Sequence, residues 1–225
     1  MIEFGIPVLD TEFTGIPAAR ILAEGLPGCG KEVLAYHLIN RVLERGEVCA
    51  VVTATQSHEE VQSSLRYYKM KYAPVIWIET IEEFQGKDDV MQASVGELFT
   101  ITAGIKAIIE KNRGGRITVV VDAISSALMC NDPKAVYAYC KTLVNMAKKE
   151  GITMYLLVEQ SMHDPKDIVG FEQLADVVLE FVVKEEEGRM KKGVLIKKKA
   201  GQPTPENVFE FKLTEKGLEI GASPK

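Results

Sequence analysis

Eight residues near the start of the chain, Gly25-Leu26-Pro27-Gly28-Cys29-Gly30-Lys31-Glu32, restrict its fold more than any other segment. They follow the pattern of a phosphate-binding loop, G-x-x-x-x-G-K-S/T, up to the last position. The glycines let successive backbone N–H groups turn toward one anion, and Lys31 adds a mobile positive charge for the outer phosphates. Because such a loop joins a buried strand to the N-terminus of a helix, the octapeptide predicts an α/β arrangement.

The residues on either side of the loop meet that requirement. Arg20–Glu24 is a short, mainly apolar run that predicts a buried strand, and residues 31–45 carry apolar side chains at helical spacing. The alternative interpretation is a glycine-rich turn into a helix, in which Glu32 simply favours the positive end of the helix dipole.

The last residue of the octapeptide departs from the pattern. This position normally supplies a hydroxyl ligand to Mg²⁺, whereas Glu32 is longer and brings a negative charge toward a triphosphate. We therefore expect Mg²⁺ binding to be possible but weakened.

The composition is that of an ordinary globular protein, with 225 residues, 46% hydrophobic and 26% charged. This length predicts a single α/β domain over residues 1–225. The formal net charge of −5 disfavours a protein whose main surface binds nucleic acid. The four cysteines lack metal-ligand spacing, no export signal opens the chain, and no apolar run approaches the ~20 residues of a membrane span. We expect a cytoplasmic protein with no membrane partner.

After a lead-in over residues 1–19, strand and helix patterns alternate, which indicates a mostly parallel sheet. The predicted strands are Arg20–Glu24, Val48–Thr53, Val75–Glu79, Ile117–Asp122 and Ile152–Glu159, and the predicted helices are Lys31–Arg45, His58–Lys69, Val90–Lys111 and Lys134–Glu150. Ser57 and Glu60 form a capping-box pattern before the second helix. Beyond residue 177 the periodicity changes, and three short strands (177–184, 194–199 and 208–213) predict an antiparallel extension of the sheet. The charged segment 185–193 between the first two is interpreted as a solvated hairpin tip.

The β-branched run Ile117–Asp122 ends in a carboxylate. In nucleoside triphosphatases, such a strand places an Asp beside the phosphate loop, where it holds the magnesium shell. Asp122 is accordingly the candidate metal residue, although many parallel strands simply end in Asp.

Together with the loop, this strand resembles the KaiC/RecA-like ATPases, and the resemblance covers nearly the whole chain. The segments that carry it are Gly5–Asp10, Gly15–Pro17, Gly25–Glu32, Cys49–Thr53, Asp122–Leu128, Leu156–Glu159, Ala175–Glu180, Val208–Thr214 and Gly217–Ile220. The resemblance implies a RecA-like P-loop fold and ATP or ADP as the ligand. It implies a binding site made of Gly25, Leu26, Pro27, Gly28, Cys29, Gly30, Lys31, Glu32, Val33, Asp122 and Lys198.

The chain departs from this family at its catalytic positions. The adjacent glutamates that polarise the attacking water are replaced by Thr55 and Gln56, and Gln is a poor general base. The segment that reaches a neighbouring subunit's phosphates keeps Lys198 but has Ala200 where the family has Arg. Family catalytic positions thus fall on Thr55, Gln56 and Glu159, and we assign a catalytic role to none of them.

We conclude from the sequence that the chain is an ATP-binding protein with impaired hydrolysis, acting as a regulatory or assembly component. It is expected to form a homo-oligomer, with the Lys197–Lys199 cluster either at the interface or on a plain strand edge, and to bind an unidentified protein. The alternatives are an active ATPase of the same fold, a RecA/RadA paralogue in DNA recombination or repair, and a scaffold without nucleotide. Nucleic acid is a disfavoured partner. The three histidines show no spacing for metal binding or catalysis.

Overall fold

The computed structural model describes residues 2–80 and 90–221. Within these ranges the chain forms seven α-helices, one short 3₁₀-helix and ten strands. In chain order they are α1 (Pro7–Glu12), β1 (Arg20–Gly25), α2 (Lys31–Glu44), β2 (Val48–Thr53), α3 (His58–Tyr67), β3 (Ile76–Glu79), β4 (Val90–Gln92), α4 (Leu98–Lys111), β5 (Ile117–Asp122), α5 (Ile124–Cys130), α6 (Pro133–Glu150), β6 (Thr153–Glu159), the 3₁₀-helix (Gln160–Met162), α7 (Pro165–Leu174), β7 (Val177–Glu186), β8 (Arg189–Lys199), β9 (Phe209–Thr214) and β10 (Gly217–Ile220).

The ten strands of the described ranges belong to one sheet, in the order β10-β9-β8-β7-β1-β6-β5-β2-β3-β4. All neighbours from β7 to β4 are parallel, and β8, β9 and β10 extend the β7 edge as antiparallel strands. The predicted fold class is thus confirmed. Strand β1 lies between β6 and β7, so the loop that follows it leaves the sheet from its interior.

Helices cover both faces of the sheet, which is why its parallel strands are apolar on both sides. Successive residues of β1 point to opposite faces. Ile21 and Ala23 join the core that contains α1, α2 and α3, whereas Leu22 joins the core that contains α4 to α7. Because β1 is buried on both faces, its end is a firmly held starting point for the loop.

Several predicted elements have the expected bounds or nearly so. Strands β2 and β5 match the prediction residue for residue, and α2 ends one residue early. The capping box is present: the Glu60 backbone N donates to Ser57 Oγ at 3.2 Å, and the Ser57 backbone N donates to the Glu60 carboxylate at 2.8 Å. Helices α1, α5 and α7 were not predicted from the sequence.

The helix predicted over residues 90–111 is wrong in its first part. Residues 90–92 form the edge strand β4, in which Val90 pairs with Trp77 of β3, and the helix begins only at Leu98. Gly96 interrupts the helical pattern, and the open backbone of β3 offers the preceding residues a better set of hydrogen bonds.

The hairpin bounds predicted near residues 185–193 are also wrong. Strands β7 and β8 pair as far as Glu186 and Arg189, so the turn consists of Glu187 and Gly188, whose φ angles are 52° and 73°. The side chains of this outer part are exposed, as predicted. Across residues 2–80 and 90–221, none of the helices is long and apolar enough to cross a membrane.

Candidate nucleotide site

The glycine loop connects the last residue of β1, Gly25, to the first residue of α2, Lys31. Gly28 and Gly30 have φ angles of 69° and 114°, in the left-handed region that favours glycine. Gly25 is required for space instead, because a Cβ there would lie 2.8 Å from Cys29 Sγ and from the Phe181 carbonyl oxygen. The loop backbone therefore has the curvature of a phosphate cradle, for two separate steric reasons.

A lysine from the antiparallel strands also reaches the loop. Lys192 of β8 donates from Nζ to the Gly28 carbonyl oxygen at 2.6 Å. This contact was missed from the sequence, where Lys192 belonged to a charged segment interpreted as solvated. No local sequence pattern predicts the contact between Lys192 and Gly28, because the contact depends on β8 lying two strands from β1 in the sheet.

The loop lysine is buried and held by two carboxylates. Lys31 has 1% of its side chain exposed, and its Nζ lies 2.6 Å from Glu32 Oε1 and 2.6 Å from Glu159 Oε1. A third, longer contact joins it to the Leu26 carbonyl oxygen at 3.4 Å. Burial alone would lower the pKa of Lys31, but the two carboxylates raise it above its usual value. The ammonium is therefore charged, and its three donors already have acceptors within the chain.

Glu159 is positioned by the sheet. It is the last residue of β6, where the register with β1 places it beside Gly25, and its backbone N donates to Ser125 Oγ at 2.8 Å. One carboxylate oxygen binds Lys31, and the other, Oε2, is buried without a hydrogen-bond partner among the described residues.

Asp122 ends β5 and lines the same groove of about 520 Å³ as Glu32 and Glu159. Burial, together with the charges of Glu32 and Glu159, outweighs the opposing effect of Lys31 and raises the pKa of Asp122 to about 6. The outer part of the loop therefore faces an acidic groove.

The two residues at the family's water-polarising positions lie in this groove as well. Thr55 and Gln56 follow β2, and Gln56 Oε1 accepts a hydrogen bond from the Tyr36 hydroxyl at 3.4 Å. The Thr53 hydroxyl donates to the Gln56 carbonyl oxygen, which anchors the turn. The structure thus brings the loop, Asp122, Glu159, Thr55 and Gln56 together in one groove.

The donor set does not match the magnesium arrangement of phosphate-loop proteins. The hydroxyl ligand at the eighth position is absent, and Oε1 of the Glu32 that replaces it is already bound to Lys31. Over the described ranges, no group of three or more His, Cys, Asp or Glu side chains is placed to hold a metal ion.

The structure does not bring Lys198 to the loop of its own chain. Its Nζ donates to the carbonyl oxygens of Glu172, Gln173 and Ala175 at the end of α7, at 2.9, 3.3 and 2.7 Å. Lys198 pairs with Val178, which lies beside Leu22, so it sits toward the start of β1 and away from Gly25.

The neighbours of Lys198 are similarly engaged. Lys197 binds Glu24 and Glu172 at 2.8 and 2.7 Å, and Lys199 binds Glu12 at 3.0 Å. The Ala200 backbone N donates to the Asp176 carbonyl oxygen at 2.8 Å. Each ammonium of the Lys197–Lys199 cluster therefore has acceptors within this chain.

A glycine loop between a central parallel strand and a helix, a carboxylate ending a nearby strand, and antiparallel strands at one edge define a P-loop protein of the RecA-like type. The family model described as "ATPase: KaiC" matches residues 2–225, so the chain belongs to the KaiC ATPase family. It is also similar to the circadian clock protein KaiC2 of Synechocystis sp., with 23% identity over 226 residues. That match covers 97% of this chain and 39% of the relative, so the chain spans about two-fifths of the relative's length. The predicted family is thereby confirmed.

Proposed function

We propose that this chain is a nucleotide-binding member of the KaiC ATPase family that hydrolyses ATP slowly or not at all and acts as a regulatory or assembly component. The observation that carries the proposal is the ion-paired state of Lys31, bound at 2.6 Å by both Glu32 and Glu159. Binding is supported by the curvature of the loop, whose backbone N–H groups do not depend on that lysine. Impaired hydrolysis is supported because the cation expected to stabilise the transferring phosphoryl group is neutralised within the chain.

The groove supports slow hydrolysis for a second reason. Thr55 and Gln56 can orient a water molecule but cannot remove its proton efficiently. Glu32 cannot copy the hydroxyl ligand of Mg²⁺, so nucleotide binding should depend little on this ion.

An active ATPase is the alternative that a specific observation favours. Glu159 lines the groove and carries one carboxylate oxygen without a hydrogen-bond partner among the described residues. That oxygen is the candidate general base for an active ATPase. Phosphate release measured on the purified protein separates the two functions.

For the assembly role, we propose self-association with nucleotide between subunits and a further protein partner. The support is family membership, together with lysines that could lend charge to a neighbour's phosphates if their contacts within the chain were exchanged. We also propose that residues 1–225 act as one domain, because strands from both halves share one sheet. The net charge of −5 argues against a role in DNA recombination.

The decisive experiment is calorimetry with ADP and ATP, with and without Mg²⁺, alongside phosphate release. We expect binding, little effect of Mg²⁺, and a turnover well below about 1 s⁻¹. Absence of heat and of any thermal shift at millimolar nucleotide would favour the scaffold instead.

A further inference from the structure

The outer part of the candidate site has the wrong charge for a third phosphate. Glu32, Asp122 and Glu159 line one groove, and Lys31 is the ammonium that lies among them. With the three carboxylates ionised, the four groups carry a formal charge of −2, and with Asp122 protonated they still carry −1. A phosphate group in this groove would be repelled by the net negative charge of these four groups, and the Lys31 ammonium among them is already paired.

Lys31 cannot relieve this repulsion without losing contacts it already has. In a phosphate loop the lysine reaches the outer phosphates. Here its Nζ is bound by Glu32, Glu159 and the Leu26 carbonyl oxygen, and the residue is almost completely buried. A third phosphate must therefore displace a carboxylate, which would leave a second negative charge in the groove.

Glu159 is the less exposed of the two carboxylates that bind Lys31. Its backbone is fixed at the end of β6 by the sheet register and by Ser125 Oγ, and 21% of its side chain is exposed. Oε2 is buried without a partner in the part of the chain that the structure describes, so the carboxylate has little alternative solvation nearby. It presents an anion to Lys31 in the way that an outer phosphate would.

The inner part of the loop has no such obstacle. Leu26, Pro27 and Gly28 are exposed, and the left-handed Gly28 and Gly30 turn the backbone without help from Lys31. The start of α2 offers its positive end to the same place. A diphosphate bound at the inner loop would use backbone N–H groups and the start of α2, which do not depend on Lys31.

We propose that the site selects a nucleoside diphosphate over the corresponding triphosphate, with Glu159 and Glu32 as the residues that determine this specificity. The inference rests on the proposed function, since it presumes that the loop binds nucleotide. It adds to that function a ligand preference that is set by carboxylates of the chain itself. Glu159 binds the Lys31 ammonium, which a third phosphate would otherwise contact.

The test is calorimetric titration of the full chain with ADP and with ATP, each with Mg²⁺ and with a chelator. The wild-type protein should bind ADP about tenfold or more tightly than ATP, the scale of one charge-assisted hydrogen bond. Glu159→Gln keeps the shape and removes the charge, so ATP affinity should rise about tenfold while ADP affinity changes little. Glu32→Thr, at a partly exposed position, should act in the same direction. Glu206→Gln is the matched control, because it removes the same charge from an exposed position between β8 and β9 and should leave the ratio unchanged.

Thermal unfolding of each variant establishes that it is folded before titration. Equal affinities for ADP and ATP, or tighter ATP binding, in the wild type would overturn this inference and leave the proposed function standing. A preference for ADP that survives in both variants would overturn the assignment to Glu159 and Glu32. Absence of binding by either nucleotide to wild type and variants would overturn both the inference and the proposed function.

Discussion

The ammonium of Lys31 lies 2.6 Å from a carboxylate oxygen of Glu159, although 128 positions separate the two residues in the chain. The contact follows from the pairing of β1 with β6, which places Glu159 beside Gly25 at the base of the loop. Lys31, the residue expected to bind phosphate, is thus paired with Glu159, which is negatively charged as phosphate is. Phosphate binding by Lys31 therefore requires that its ion pair with Glu159 be broken.

Replacing Lys31 with Ala should weaken ADP binding about tenfold to a hundredfold, the scale of one uncompensated charge beside the phosphates. The physical reason is that Glu32 and Glu159 would then face the phosphates without a counter-charge. The double variant with Lys31→Ala and Glu159→Gln should recover part of the lost affinity, as measured by calorimetry. If the second substitution recovers nothing, the two residues are not coupled in binding.

Hydrolysis should increase when the family's catalytic groups are restored. A variant with Glu32→Thr and Gln56→Glu regains a hydroxyl ligand for Mg²⁺ and a water-polarising carboxylate, and should release phosphate faster than the wild type. The Glu32→Thr variant alone is the control, because it restores the hydroxyl and removes one of the two carboxylates that bind Lys31 without supplying a base. A wild-type turnover near about 1 s⁻¹ would contradict the expectation of impaired hydrolysis.

Acid should destabilise the fold through His37. Its Nε2 accepts a hydrogen bond from the Leu218 backbone N at 2.9 Å, and burial lowers its pKa from 6.5 to about 4 despite the charge of Glu219. The unfolded chain therefore binds a proton more readily than the folded one. The stabilisation is complete above pH 6.5 and is lost as the pH falls toward 4.

The shift corresponds to about 3 kcal/mol of unfolding free energy. Urea unfolding of the wild type and of His37→Gln at neutral and acidic pH measures it. The variant retains an acceptor that cannot be protonated, so its stability should fall less steeply. Parallel pH profiles of the two proteins would show that His37 does not make this contribution.

Lys198→Ala should lower the unfolding free energy by about 1–2 kcal/mol, because a cation at a helix C-terminus is stabilising. The lost group serves three carbonyl oxygens at the end of α7, so the effect should exceed that of Lys141→Ala, an exposed helix position. Chemical denaturation of both variants measures the difference. Equal stabilities would mean that the contacts of Lys198 contribute little to the fold.

The same pair of variants tests the proposed self-association. Light scattering should show the wild-type mass rising with added nucleotide and falling with salt, because salt screens exposed charge pairs. Lys198→Ala should weaken that rise, and Lys141→Ala should not. A wild type that stays monomeric in every condition would leave Lys198 with its structural role alone.

Local sequence patterns predicted much of the fold correctly. The strands Val48–Thr53 and Ile117–Asp122 were predicted to the residue, since β-branched apolar runs bounded by turns indicate buried strands. The prediction of a helix from residue 90 was wrong because residues 90–92 pair with β3. Local periodicity does not indicate which strand a segment pairs with. The hairpin 177–199 was underestimated because ladder hydrogen bonds extend it through residues too polar to look like strands.

The sequence alone determined the glycine loop, its place between strand and helix, and the absence of a hydroxyl at Glu32, because these depend on residues close together in the chain. Only the tertiary structure decided what Lys31 binds. Glu159 reaches it because β6 lies next to β1 in the sheet order, and Lys192 reaches Gly28 because β8 folds back along β7. Lys198 meets the end of α7 for the same kind of reason. Charges far apart in the sequence are brought into contact by strand order and register, which arise from packing over the whole sheet rather than from any single segment.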